Sequence, residues 1–153
     1  MNEKVSIKFK DYRDIDSQYS NIASIEMFEA VGKKYWEKYF DVIKKSLVNS
    51  GKAALQIITI DENRSTNYQN QPDFIQQYIF PGGMLPTKRE LLEINQKVGL
   101  DFSEIKSFGL SYAKTLNVWN NQFQNSWQHL LQLGFNQRFK RMWEFYLAYC
   151  ETG

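Results

Sequence analysis

Near the start of the chain, apolar Val5, Ile7 and Phe9 alternate with Ser6, Lys8 and Lys10. This period-two pattern predicts a strand with one polar face, ended by Asp11. A second strand is predicted over Ile22 to Ile25, followed by Glu26, Met27, Phe28 and Glu29 before Gly32 opens a helix. In that helix Tyr35, Trp36, Tyr39, Phe40, Ile43 and Leu47 recur at helical spacing and build one broad apolar face, with Gly51 as the stop signal. The nearly continuous apolar run Ala53 to Ile60 predicts a central strand covered on both faces, ended by Asp61.

The segment DENRSTNYQNQ, residues 61–71, is the most polar stretch and reads as a surface loop. A short apolar helix or turn over Phe74 to Tyr78 leads into IFPGGMLP, Ile79 to Pro86, whose prolines and paired glycines preclude regular structure. Thr87 and Glu90 have capping-box spacing at the head of a helix that Gly99 ends. Glu104 to Phe108 is a further candidate strand. Beyond it Leu116, Trp119, Phe123, Trp127, Leu130 and Leu131 mark a long helix broken at Gly134. Asn136 then caps a last helix lined by Phe139, Met142, Trp143, Tyr146, Leu147 and Cys150. Strands alternating with helices predict an α/β sheet.

Composition sharpens this reading by exclusion. The chain has 153 residues, 42% hydrophobic, 16% aromatic and 24% charged. That suits one domain with a packed core and argues against disorder. A net charge of +2 is too small for nucleic-acid wrapping, so no nucleic-acid partner is expected. Cys150 and His129 are each single, which leaves no disulfide, no thiolate cluster and no His-rich metal centre. The charged N-terminus has no apolar run of signal length, and no segment reaches the ~20 apolar residues that span a bilayer. A cytoplasmic location is expected. None of the eight glycines lies two positions from another, so no Gly-x-Gly nucleotide loop is present.

Several residues carry candidate chemistry. Glu29 follows a buried strand at the edge where ligands bind in open α/β folds; it equally fits a cap on the next helix. IFPGGMLP fits a pocket lid or a tight connection. Tyr112 in FGLSYAKTL sits past a predicted strand end, where its phenol can bond a ligand or simply pack at a helix start. Arg138, Lys140 and Arg141 beside the aromatic stripe of the last helix suit contact with anionic lipid, although the stripe also fits a core face with solvated charges. His129 and Cys150 read as structural.

The segment SIEMFEAVGKKYW, Ser24 to Trp36, resembles the cyclopropane-fatty-acyl-phospholipid synthases, a family of S-adenosylmethionine-dependent methyltransferases that includes the mycolic acid cyclopropane synthases. The resemblance runs in order through DYRD at Asp11 to Asp14, LQIITID at Leu55 to Asp61, YIFPGGMLP at Tyr78 to Pro86, FGLSYAKTL at Phe108 to Leu116 and RFKRMWEFYLAYC at Arg138 to Cys150. It implies transfer of the methyl group of S-adenosylmethionine to the double bond of an unsaturated acyl chain in a membrane phospholipid. The resulting carbocation loses a proton from the added methyl, with bound bicarbonate as base, and the three-membered ring closes. Water must be excluded, and aromatic faces suit a cation at ~0.5–2 kcal/mol each.

The resemblance implies catalytic roles for Glu29 and Tyr112, both contacts of the bicarbonate, with Ile58 holding that ion through its backbone. Gln56 is a further implied bicarbonate contact and stands where several relatives have histidine; its amide donates a hydrogen bond but shuttles no proton near neutral pH. Asp11, Tyr12 and Arg13 resemble the segment bordering the cofactor's adenine. The implied fold is an incomplete Rossmann-like class I methyltransferase sheet. Val5 to Phe9, Ile22 to Ile25, Ala53 to Ile60 and Glu104 to Phe108 take its third to sixth strands, while the first, second and seventh strands and the Gly-x-Gly loop have no counterpart. Residues 1–153 are thus expected to be the C-terminal part of a single methyltransferase domain, inactive alone, with peripheral membrane contact at the inner membrane face. Two alternatives stand beside this: a split enzyme completed by an N-terminal partner chain, and a non-catalytic lipid- or partner-binding module.

Overall fold

The computed structural model describes residues 4–153, which divide into two compact units, one running to Ser103 and the other over Glu104–Gly153. The first is α/β. Strands β1 (Tyr19–Ile25) and β2 (Leu47–Gln56) pair in parallel, joined through helix α1 (Trp36–Ser46). A parallel pair requires such a crossover. Its register starts at Tyr19 opposite Leu47 and resumes at Asn21 opposite Lys52, so β2 bulges between. Ser50 takes φ 65° there, and a Cβ on Gly51 would lie 2.9 Å from the Val48 carbonyl oxygen. Gly51 is therefore the close-approach residue of a bulge, and not the helix stop its position suggested.

α1 buries Trp36, Tyr39, Phe40, Val42, Ile43 and Ser46; the spacing picked out Trp36, Tyr39, Phe40 and Ile43, whereas Tyr35 precedes the helix and is exposed and Leu47 begins β2. Phe28, fully buried in a single 3₁₀ turn (Phe28–Ala30), centres the core: its ring stacks on Trp36 at 5.3 Å and meets Tyr39 and Phe40 edge-on at 5.1 and 5.5 Å. Ile22 and Leu55 from the strands pack on this cluster.

Helix α2 (Glu62–Asn70) occupies the stretch expected to be a loop. Polarity there marked exposure, not irregularity: Asp61 accepts from the Asn63 amide at 2.8 Å, and Glu62 places a second acid at the positive end of the helix. Helix α3 (Phe74–Tyr78) falls where expected and carries a capping box from Asp73 and Gln76. The IFPGGMLP segment is irregular, as its composition requires. Helix α4 (Lys88–Val98) has the Thr87–Glu90 capping box and ends on left-handed Gly99, both as expected, and packs against α1.

The expected sheet is larger than the one observed. Val5 to Phe9 is irregular, with Ile7 and Phe9 almost wholly exposed, and Glu104 to Phe108 is irregular too. Alternation supplies a strand's faces but not its ladder, and neither segment has a strand partner among the described residues. The Ala53 to Ile60 strand is likewise corrected: β2 begins at Leu47 and stops at Gln56, and Ala53 and Ala54 are exposed instead of covered on both faces.

The second unit is a helical hairpin of α5 (Gly109–Gln132) and α6 (Gln137–Thr152). Asn117 donates to Glu151 at 3.1 Å and Gln124 to Glu144 at 2.7 Å, the descending pairing of antiparallel helices. Gly134, at φ 92°, turns the chain, and Asn136 accepts from the Phe139 amide at 3.0 Å to cap α6 as expected. Leu116, Trp127 and Leu147 are the buried apolar residues of this unit.

Candidate active site

The carboxyl ends of β1 and β2 bring sequence-distant groups together. Beyond β1 the backbone reverses at Glu26, which has φ 50°, and enters the 3₁₀ turn that carries Glu29. The Ile58 amide, two residues past β2, donates to Glu29 Oε1 at 2.6 Å. The Met84 amide, from the IFPGGMLP segment, donates to the Glu29 carbonyl at 2.9 Å, and Gln76 donates to the Gly83 carbonyl at 2.9 Å. Three motifs singled out in the sequence thus meet at one residue. Glu29 Oε2 is buried without a hydrogen-bond partner among the described residues. A buried carboxylate oxygen with no donor marks a place where a donor fits. Glu29 does not act as a side-chain cap on the following turn or on α1, neither of which has one.

Gln56 takes a different partner. Its amide donates to Glu26 Oε1 at 2.8 Å, while the Glu26 amide donates back to the Gln56 carbonyl at 3.0 Å. Glu26 is the residue that sequence reasoning passed over. Its relevance follows from register, because Ile25 lies opposite Gln56. The only signal available beforehand was an acid placed directly at a strand end.

Two buried aromatic hydroxyls belong to the same unit as Glu29. Tyr39 donates to Ser24 Oγ at 2.6 Å, and burial, then the negative charge of Glu29, pushes its phenol pKa up. The Tyr12 ring lies 5.6 Å from that of Tyr39; its hydroxyl is buried without a partner among the described residues, and burial raises its pKa as well. Both tyrosines line a cleft of about 310 Å³ along β1, together with Tyr19, Ile22, Met27 and Ile43.

Beside Tyr12, Asp11 caps its 3₁₀ turn and receives Arg13 twice, from Nε at 3.0 Å and from the terminal guanidinium nitrogen at 2.7 Å. These bonds hold the Asp11 carboxyl down at about 2 and raise the Arg13 guanidinium further. Arg13 also lies 5.8 Å from the centre of the Tyr35 ring, with Lys34 at 4.8 Å. Glu29, Ile58, Gln56, Tyr12, Asp11 and Arg13 all belong to the first unit. Tyr112 lies in the second, in the first turn of α5, where its ring meets Trp119 edge-on at 6.2 Å; the segment expected to form a strand before it is irregular.

A family model described as mycolic acid cyclopropane synthetase matches residues 1–153. The tuberculostearic acid methyltransferase UfaA1 of Mycobacterium tuberculosis is 40% identical over 98% of this chain and 35% of its own length. The cyclopropane-fatty-acyl-phospholipid synthase of Escherichia coli K12 is 34% identical over 95% of the chain and 37% of its own. The crystal structure of the mycolic acid cyclopropane synthase CmaA1 complexed with SAH and CTAB superposes with a TM-score of 0.82 at 25% identity, covering 92% of this chain and 52% of that one. The chain therefore spans about a third of the length of these curated relatives.

Proposed function

The chain belongs to the mycolic acid cyclopropane synthetase family, whose members are S-adenosylmethionine-dependent methyltransferases, and from that premise we propose that it supplies the glutamate-bearing part of a site that alkylates the double bond of an unsaturated phospholipid acyl chain. The observation that carries this reading is the Glu29 carboxylate, with one oxygen anchored on the Ile58 amide and the other buried and open.

Bicarbonate, when bound, would supply the base that takes the proton from the added methyl. Glu29 fits it in one respect, since Oε2 is an acceptor suited to the single O–H of that ion. Ile58 fits less simply, because its N–H is engaged by Glu29. The role of Ile58 is therefore to fix Glu29, and the carboxylate is what meets the ion. Gln56, turned to Glu26, orients the strand ends and carries no proton. Tyr112, in the second unit, has its role from the family resemblance alone.

For S-adenosylmethionine the fitting feature is Tyr12, whose buried, unpartnered hydroxyl suits a polar ligand edge beside an apolar cleft. Asp11, with Arg13 across it, retains spare acceptor capacity toward an exocyclic amine. Phe28, next to Glu29 in its turn, belongs with Trp36 and Tyr39 to the buried aromatic cluster.

These residues correspond to 35–37% of the relatives' length, and on this reading the methyl-transfer step needs the remainder of such a domain. A complementing polypeptide is the second reading, favoured by one observation: β1 has β2 as its one strand partner among the described residues, and the cleft follows the successive residues Asn21 to Ser24. Calorimetric titration with S-adenosylmethionine separates these readings from an independent enzyme. The chain alone should bind the cofactor weakly or not at all. Micromolar binding by the isolated chain would overturn the proposal.

A further inference from the structure

The turn between α5 and α6 plays no part in the site described above, yet its surface is unusual in three ways. The first is exposed apolar bulk: Leu133 is 62% exposed, and Leu131 and Phe135 are 38% and 39% exposed. They flank Gly134 at the tip of the hairpin, and the Phe135 ring rests on Phe139 at 4.6 Å, so it is held in place.

The second is charge. From residue 107 to residue 143 the sequence contains Lys114, Arg138, Lys140 and Arg141 and no aspartate or glutamate. Arg138 and Arg141, three apart at the start of α6, share a helix face, are exposed, and form no ion pair among the described residues. Lys140 points elsewhere, lying 5.3 Å from the Trp127 ring centre and 3.6 Å from Glu144.

The third is backbone satisfaction. The amides of Leu133, Gly134 and Phe135 donate to the carbonyls of His129, Leu130 and Leu131 at the end of α5. The Phe139 amide is met by the Asn136 side chain and that of Lys140 by the Asn136 carbonyl. Each open N–H on a turn entering a low-dielectric layer is destabilising, and these amides are closed.

We propose that the α5–α6 turn is a bilayer-docking surface, in which Leu133 and Phe135 enter the acyl boundary of an anionic phospholipid membrane while Arg138 and Arg141 meet headgroup phosphates. Apolar residues at the tip with cations one helical turn behind match the depth profile of a membrane interface. The acid-free flank, with two arginines that form no ion pair among the described residues, fits an anionic surface. The proposal uses none of the residues of the Glu29 site, so its test is independent of the catalytic reading.

Flotation of the 153-residue chain through a density gradient tests it, because vesicle-bound protein rises and aggregates sink. The chain should float with phosphatidylcholine–phosphatidylglycerol vesicles and far less with phosphatidylcholine alone. Arg138→Gln with Arg141→Gln should lower the partition coefficient roughly 25-fold, about five-fold per charge. Leu133→Asp with Phe135→Asp should lower it at least about ten-fold with unchanged helical circular dichroism. In Phe135→Trp, brominated acyl chains should quench the added indole emission. Failure of the unaltered chain to float would overturn the proposal. So would Asp variants that float normally, or an added indole emission that brominated lipid leaves untouched.

Discussion

Gln56 gives its side-chain amide to Glu26 at 2.8 Å, not to Glu29, although all three lie at the carboxyl ends of the two strands. Two carboxylates thus divide two strand-end donors between them, Glu26 taking the Gln56 amide and Glu29 the Ile58 N–H. The division leaves Glu29 with an open oxygen and commits Gln56 to structure.

Glu26 makes this bond from a left-handed backbone, at φ 50°. Glu26→Ala removes the side-chain bond and keeps the strain, whereas Glu26→Gly removes both. Urea unfolding should place the glycine variant above the alanine variant by about 1 kcal/mol. Combined with Gln56→Ala, Glu26→Ala should show a coupling of about 0.5–1.5 kcal/mol. Strict additivity would mean that the pair is incidental.

Phe28 is fully buried and touches three aromatic rings. Phe28→Ala should destabilise the first unit by about 3–5 kcal/mol, and Phe28→Leu by clearly less, as measured by chemical denaturation. The turn carrying Phe28 also carries Glu29, whose carbonyl accepts from the Met84 amide. Hydrogen exchange at Met84 should therefore quicken in the alanine variant.

Two glycines should respond in opposite senses. A Cβ at Gly51 meets the Val48 carbonyl at 2.9 Å and the Ser20 carbonyl at 3.2 Å, both backbone atoms, so Gly51→Ala should cost about 1–3 kcal/mol by forcing the bulge open. Gly109 opens α5 with nothing within 4 Å, so Gly109→Ala should be neutral or stabilise by up to about 1 kcal/mol. Thermal unfolding of the two variants distinguishes them.

Asp11 provides a pH test whose sign is fixed. Its carboxyl is held at about 2 against an ordinary 3.8, chiefly by the hydrogen bonds from Arg13. A lowered folded pKa contributes stability that is present above the ordinary value and is lost as pH falls from about 3.8 to about 2. Arg13→Ala should return the Asp11 titration, followed by NMR, toward 3.8, and remove this part of the acid dependence. Solvent screening at this surface pair keeps the energetic consequence small.

Local rules were legible in the sequence wherever the cause was local. The aromatic face of α1, the Thr87–Glu90 capping box, left-handed Gly99 and the Asn136 cap each follow from residues within a few turns of one another. What failed depended on a partner. Val5 to Phe9 has the alternation of a strand but no ladder, and Glu62–Asn70, a helix whose Asp61 cap was legible but masked by its polarity, is also held from outside by Arg89 bonded to Glu62 and by Glu90 near Gln69. At the site, Glu29 was a candidate from its place after a strand and Ile58 from the family resemblance alone, while the bond that joins the two lies outside what the sequence foretold. The Glu26–Gln56 bond was not readable, because it exists only once Ile25 is set opposite Gln56.

If Glu29 acts on the reacting centre through its open oxygen, removing its charge must slow ring formation. A chimera carrying these residues in place of the matching part of the Escherichia coli synthase allows this to be measured, with cyclopropane formation in phospholipid acyl chains followed by mass spectrometry. Glu29→Gln, which keeps the Ile58 bond but removes the charge, should lower the rate of ring formation by at least about a hundred-fold with little change in S-adenosylmethionine affinity. Ring formation at the unaltered rate in that variant would contradict this role for Glu29.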